Sequence, residues 1–153
     1  MLYMDKNFDL FRPDDSRIED TKNLIELDEL IAPAVSLFNL KGYKTDFCCS
    51  GHIVETKLQG STSCWNNPYI LFKEDYIETL INEHKQMVND LFIHNKDFLK
   101  LIHFKKNSPY DNRTLIYIDW SEYRNTNLFL LYDLQLKSNK AIIDFAKYVS
   151  KIR

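Results

Sequence analysis

Apolar residues recur at three- and four-residue steps in the first third of the chain and predict a helix over about 28–41. Ile31 and Phe38 fall on one face of this helix, and Asp28 precedes them as a candidate cap. Gly42 is expected to end the helix, because glycine adopts a left-handed conformation at low cost.

The same spacing predicts helices in the middle and at the end of the chain. Asp75 is the expected N-terminal cap of the middle helix. In the C-terminal region two helical stretches are predicted, and Ser138 is the expected cap of the second. The residues predicted to face the core are Ile77, Ile81, His84, Val88 and Leu91 in the middle helix, and Leu128, Leu131, Leu134, Ile142, Phe145, Ala146 and Val149 in the C-terminal region.

Shorter apolar segments bounded by turn residues predict strands. Residues 49–52 predict a turn and residues 55–67 a loop, since both are small or polar. Residues 1–23 predict an irregular N-terminal arm. The last two strands, joined by a turn-rich segment, predict an antiparallel hairpin. The predicted strands cover 43–48, 69–73, 99–104 and 114–120.

These elements predict a single α+β domain over residues 1–153, in which helices pack on a mixed or antiparallel sheet of about four strands. The composition is that of a folded protein, with 44% hydrophobic and 27% charged residues. The chain holds only three glycines, which argues against a phosphate-binding loop built on repeated glycines.

Charge is distributed unevenly along the chain, although the net charge is only −2. Residues 1–40 hold four Lys and Arg against nine Asp and Glu, whereas residues 100–153 hold ten against five. A basic C-terminal third could face an anion or could be a solvated surface. A nucleic-acid partner is therefore not excluded, although the chain has no long basic tract.

The start of the chain lacks the basic region and apolar run of a signal peptide, and no apolar stretch approaches the ~18 residues that span a membrane. The cysteines are Cys48, Cys49 and Cys64, an odd number with two adjacent, which is typical of reduced thiols. We therefore expect a cytoplasmic protein without membrane contact. The oligomeric state cannot be predicted.

The densest group of reactive side chains is the segment Phe-Cys-Cys-Ser-Gly-His at 47–52, directly after a predicted strand. Loops at strand ends are common ligand sites, because a rigid scaffold positions them. Ser50 supplies a hydroxyl, and Gly51 allows backbone amides to approach an anion. Cys49 and His52 are close enough in sequence to meet, and a charged imidazole would lower the thiol pKa.

Three interpretations of this segment stay open. In the first it is a structural turn that follows a core cysteine. In the second Ser50, Gly51 and His52 form a ligand site. In the third Cys49, His52 and Cys64 bind a metal, but their spacing matches no zinc pattern. We predict no bound metal, because Cys48 and Cys49 should point to opposite faces of the strand. Phe47 should share a face with Cys49, and Asp46 should share the other face with Cys48.

Two charged residues farther along the chain are further candidates for this site. Asp119 ends a predicted strand, and its carboxylate could face His52. Arg124 follows and could pair with that carboxylate or contact an anion.

The segment from Gly42 to His52, followed by Tyr69-Ile70-Leu71-Phe72, resembles a family of uncharacterised bacterial and phage proteins. These proteins share a GY-x-T-x-aromatic-x-C-x-GH segment and a YI-x-F strand. The strand and turn also resemble, distantly, the Ser-Cys-Ser-Gly-Arg segment of the wybutosine-synthesising methyltransferase family. Cys49, Ser50 and Gly51 match that segment, whereas His52 replaces its arginine and Cys48 its first serine.

The second resemblance implies a methyltransferase-like fold, S-adenosylmethionine as cofactor and a tRNA base as substrate. From the residues, our first hypothesis is that the chain binds or modifies a nucleotide-like or other anionic small molecule at residues 48–52. The alternative is a non-enzymatic protein-interaction module in which this turn is structural. A concave pocket that includes Ser50 and His52 would favour the ligand-binding hypothesis. A filled core at this turn, together with an exposed apolar patch elsewhere, would favour the interaction module.

Overall fold

A computed structural model describes residues 1–54, 64–90, 96–106, 112–123 and 128–151 of the chain. Its helices are α1 (Ala32–Lys41), α2 (Ile77–Asp90), α3 (Lys96–Leu99) and α4 (Leu128–Lys151). Its strands are β1 (Leu2–Met4), β2 (Leu10–Phe11), β3 (Ile25–Leu27), β4 (Thr45–Cys49), β5 (His52–Val54), β6 (Cys64–Asn66), β7 (Tyr69–Phe72), β8 (Ile102–Lys106) and β9 (Thr114–Ile118).

The central sheet has four antiparallel strands in the order β4-β7-β9-β8. Two smaller antiparallel sheets accompany it, β2-β1-β3 and the hairpin β5-β6. The predicted α+β class is confirmed, and so is the hairpin of the last two strands, β8 and β9. None of the described helices is both long and apolar enough to cross a membrane.

One face of the central sheet, the core face, packs against the helices. Alternate residues of β7 and β9 point into it and are fully buried, because side chains of a strand alternate between its two faces. Phe72 contacts Phe38 of α1 edge to face, and Phe104 of β8 contacts Phe145 of α4 in the same way. The core residues of β7 and β9 are Ile70, Phe72, Ile116 and Ile118.

The opposite face of the central sheet, here called the open face, consists of two rows of side chains that run across the four strands. At the edges of this face, Phe47 is 60% exposed, and His103 and Lys105 are exposed. At its centre, on β7 and β9, Leu71 is buried and the other side chains are half-buried. One row is Phe47, Leu71, Leu115 and Lys105. The other row is Cys49, Tyr69, Tyr117 and His103.

Helix α1 begins at Ala32, later than predicted, and ends where predicted. The carbonyl of Asp28 accepts hydrogen bonds from the amides of Ile31 and Ala32, so residues 28–31 form a turn that leads into the helix. Gly42 follows the last helical residue with φ +100°, and its amide bonds to Asn39. The expected left-handed stop is therefore confirmed.

Helix α2 turns a slightly different face to the core than predicted. Its buried residues are Leu80, Glu83 and Met87, whereas Ile77, Ile81, His84 and Val88 are half-buried beside them; Leu91 lies outside the described residues. The ring of His84 contacts Phe104 and Phe145 and bonds through Nε2 to the carbonyl of Leu99 at 2.7 Å. Burial lowers the pKa of His84.

The C-terminal region is one helix of 24 residues, so the predicted division at Ser138 is wrong. Ser138 is fully buried, and its hydroxyl accepts a hydrogen bond from the indole Nε1 of Trp120 at 3.1 Å. A tertiary partner thus satisfies the polar side chain, and no helix end is needed to explain it.

Two segments predicted as irregular contain strands. Within residues 1–23, β1 and β2 pair through Tyr3 with Phe11 and Met4 with Leu10. Within residues 55–67, β6 pairs with β5, while residues 55–63 lie outside the described ranges. These strands have two or three residues, which is too short for an alternating pattern to be recognised.

Candidate functional site

The segment 47–52 joins the edge strand β4 to the hairpin β5-β6. Cys48 lies on the core face opposite Ile70, and Phe47 and Cys49 lie on the open face, so this part of the prediction is confirmed. The predicted position of Asp46 beside Cys48 is wrong. The pairing register shifts between Thr45 and Phe47, and the exposed Asp46 forms an ion pair with Arg113, across β7.

The turn between β4 and β5 consists of Ser50 and Gly51, and both are buried. The Ser50 hydroxyl donates to Oδ2 of Asp28 at 2.6 Å. Two side chains of α4 bond to the turn's carbonyls: Nδ2 of Asn139 donates to Ser50 and Nε2 of Gln135 to Gly51, each at 2.8 Å. These bonds tie the turn to the segment before α1 and to the middle of α4.

Gly51 lies against the ring of Trp120, and this contact requires a glycine. Its φ is +93°, a conformation that other residues adopt at a cost. A β-carbon built on Gly51 would lie 2.4 Å from Cη2 of Trp120, well inside van der Waals contact. The space in which a ligand would approach the glycine is thus filled by a fully buried tryptophan.

Of the other predicted site residues, Cys49 contacts this turn, whereas His52 and Asp119 have their described partners elsewhere. His52 is exposed and pairs with Asn66 in the β5-β6 hairpin. The Cys49 sulfur accepts a hydrogen bond from the amide of Gly51 at 3.3 Å, and no described contact joins it to His52. Oδ1 of Asp119 accepts from the amide of Ser121, which lowers the pKa of this carboxyl. Arg124 lies outside the described residues.

Burial raises the pKa of both thiols, so neither has the property of an activated nucleophile. The pKa of Cys48 rises to about 11, first through burial and then through the neighbouring Cys49 and Asp28. The pKa of Cys49 is raised by burial and partly lowered again by the Gly51 amide. In the described ranges no three His, Cys, Asp or Glu side chains are grouped as a metal site would need.

We expect a thiol reagent to label Cys49 faster than Cys48 in the folded protein. Cys49 is half-buried on the open face, whereas Cys48 packs against the core and forms its thiolate only as the pH approaches about 11. The measurement is the labelling rate between pH 7 and 11 in a Cys64→Ser background, with Cys48→Ala and Cys49→Ala assigning the two phases. Equal, fast labelling at pH 7 would contradict this placement.

Sequence reasoning missed four residues that hold the turn: Asp28, Trp120, Gln135 and Asn139. The contacts of Gln135 and Asn139 do leave a trace in the sequence. Together with Ser138, these residues interrupt the apolar face of α4 with uncharged polar groups. Asn139 is 1% exposed, and its Oδ1 has no hydrogen-bond partner among the described residues. Buried polar groups at a helix centre indicate a tertiary polar contact.

The comparisons with known proteins add no relative. No family model, no curated protein and no solved structure matches the chain. The resemblances of the segment from Gly42 to His52 therefore stay predictions.

Proposed function

We propose that the chain is a non-enzymatic protein-interaction module in which the turn at residues 48–52 is structural and the outward face of α4 binds a partner protein. The observation that supports this most is an apolar stripe, Phe129, Tyr132 and Leu136, on successive turns of α4. These side chains are 82%, 49% and 55% exposed.

The apolar stripe has the spacing of a helix-packing surface. Its residues are three and four positions apart, so they lie on one face of α4. Leu131 and Leu134 of the same helix are buried, which means that the core has apolar residues of its own and does not need the stripe. Single exposed apolar residues are ordinary, but three in line on one helix favour a docking surface.

The charges beside the stripe favour an acidic partner. The helix face continues from Leu136 to the exposed Lys140 and Lys147, with the half-buried Asp144 between them. Asp133 lies beside the stripe but already pairs with Lys137 at 2.9 Å. We propose as occupant an amphipathic helix of another protein, with its apolar residues on the stripe and its acidic residues near the two lysines.

The first hypothesis, an anionic or nucleotide-like ligand at the turn, has less support from the geometry. The Ser50 hydroxyl and the carbonyls of the turn are engaged, and Trp120 covers Gly51. His52 is the exposed group there, and S-adenosylmethionine binding rests on the resemblance alone. A thermal-shift screen with nucleotides and S-adenosylmethionine tests it, since a ligand of the native state raises its melting temperature.

We expect a photoreactive phenylalanine analogue at position 129, introduced in cells that naturally make the protein, to crosslink to one discrete partner. Leu136→Lys should weaken that crosslink about tenfold or more, because it places a charge in the apolar contact. Stability should change by no more than about 0.5 kcal/mol, since Leu136 is exposed. The yield of crosslinked product is measured on gels and the partner is identified by mass spectrometry.

The matched control is Leu40 of α1, which is 60% exposed and lies outside the stripe. The analogue at position 40 should give no such product, and Leu40→Lys should leave the crosslink at 129 unchanged. A crosslinked product of two copies of the chain would show that the stripe mediates self-association, and the proposed acidic partner would then be wrong. Equal products from 129 and 40, or none from either, would contradict the proposal.

A further inference from the structure

We infer that the open face of the central sheet binds single-stranded nucleic acid by stacking bases on its aromatic side chains. This face includes Cys49 and adjoins the turn formed by Ser50 and Gly51, and it is separate from the apolar stripe of α4. The inference therefore does not depend on the proposed function.

Aromatic rings on the open face are arranged as a platform for bases. Phe47 lies in one row at the β4 edge, and Tyr69, Tyr117 and His103 lie side by side in the other. Neighbouring strands are about 4.8 Å apart, so the aromatic row extends across three strands of the sheet. Proteins that bind single strands present such rings, because every base has a stacking face.

The two most exposed rings lie at the two edges of the sheet. Phe47, on the edge strand β4, is 60% exposed. His103, on the opposite edge strand β8, is exposed and stacks on Tyr117 with ring centroids 5.3 Å apart and planes inclined by 28°. The stack holds one side of the imidazole and leaves its outer side for a base. Between these edges, on β7, Tyr69 is half-buried and Leu71 is buried, so the accessible stacking surfaces are those at the edges.

Cations accompany the rings. Nζ of Lys105 lies 5.2 Å from the centroid of the Tyr117 ring, and Arg113 extends across β7 to Asp46. The exposed Lys73 continues the alternation of β7 on the same side as Leu71, since its amide still bonds to the carbonyl of Lys44. Lys73 and Lys105 beside the aromatic surface complement a phosphate backbone, whereas Arg113 is already paired with Asp46.

Carboxylates near this face offset part of its positive charge. Asp46 is paired with Arg113, and Asp119 accepts the amide of Ser121. The net positive charge of this face is therefore small, and we expect base stacking to contribute more to affinity than phosphate contacts do. A duplex should bind poorly, because its bases are already stacked on one another and cannot reach the rings.

The test measures binding of fluorescently labelled oligonucleotides to the full chain by anisotropy. The probes are single-stranded oligo(U) and oligo(dT) and a mixed-sequence duplex of the same length, at low salt. We expect both single strands to bind more tightly than the duplex. Phe47→Ala and His103→Ala should each weaken single-strand binding by about tenfold, as the loss of one stacking contact does. Lys105→Ala should reduce the slope of log affinity against log salt by about 0.7.

The control variant is Phe129→Ala, which removes an exposed aromatic ring from α4 and should leave single-strand affinity unchanged. Circular dichroism melts check that the variants fold, which is expected because Phe47 and His103 are exposed. Single-strand binding weaker than roughly 100 µM, a typical limit of non-specific binding, would overturn the inference. Equal binding of duplex and single strand would also overturn it, and so would Phe129→Ala losing as much affinity as Phe47→Ala. Binding of a partner protein to this face in place of oligonucleotide would overturn it as well.

Discussion

Replacement of Gly51 by alanine is expected to destabilise the fold by about 2–6 kcal/mol, more than most single substitutions. Two costs add. The first is the positive φ of +93°, which costs a residue with a β-carbon about 1–3 kcal/mol. The second is the overlap of that carbon with Trp120, since forcing an atom into a packed core costs about 1–3 kcal/mol. Urea unfolding followed by circular dichroism measures the change in the free energy of unfolding.

Gly42 provides a matched control for this experiment. Its φ of +100° is close to that of Gly51, but a β-carbon there would meet no atom within 4 Å. Gly42→Ala should therefore show the backbone cost alone, at about 1–3 kcal/mol. The difference between the two variants isolates the Trp120 contact. Equal losses of stability would mean that the tryptophan moves aside freely, and that the turn is less tightly packed than described.

The elements that could be predicted are those whose signal is local and long enough to be periodic. Helix α1 has its apolar face and its glycine stop within the sequence itself, and β7 is an apolar run after Pro68. The antiparallel pairing of β8 with β9 follows from two strand patterns around a turn-rich segment. Elements of two or three residues, such as β1 and β2, offer no such periodicity.

The candidate site was located by composition, but its contacts could not be predicted. The segment 47–52 is rich in reactive groups, and its glycine does adopt a positive φ. What engages it comes from far along the chain: Ser50 bonds to Asp28, 22 residues earlier, and to Asn139, 89 residues later. No local pattern encodes such distances. The bulge at Asp46 was missed for a related reason, because a shift in pairing register depends on the partner strand.

The two proposed surfaces belong to different layers of the fold. The helices pack on the core face of the central sheet, and the stripe of α4 points away from that core. The open face is on the other side of the sheet, where Phe47 and His103 are exposed. A partner helix on α4 and a nucleic-acid strand on the sheet would therefore not compete for the same residues. The Phe129→Ala and Phe47→Ala variants test the surfaces separately.

The connection between the two layers is Trp120, and its replacement by alanine should cost about 3–5 kcal/mol of stability. The side chain is fully buried, packs on Gly51, and donates its indole N–H to the hydroxyl of Ser138. Its loss leaves a cavity beside the turn and removes a partner from a buried hydroxyl. Trp120→Phe should cost less than Trp120→Ala, because a phenyl ring keeps the inner part of the packing but lacks the indole N–H and the outer-ring atoms that contact Gly51.

A double-mutant cycle with Gly51→Ala shows whether these two residues form one contact. In the Trp120→Ala background the added β-carbon meets no indole ring, so Gly51→Ala should cost only about what Gly42→Ala costs in the wild type. If Trp120→Ala is too unstable to measure, Trp120→Leu replaces it, since leucine lacks the outer ring that contains Cη2. Stability losses that simply add would mean that the contact between Gly51 and Trp120 does not set the conformation of the turn. A coupling of about 1–3 kcal/mol is expected, because the overlap term disappears with the ring.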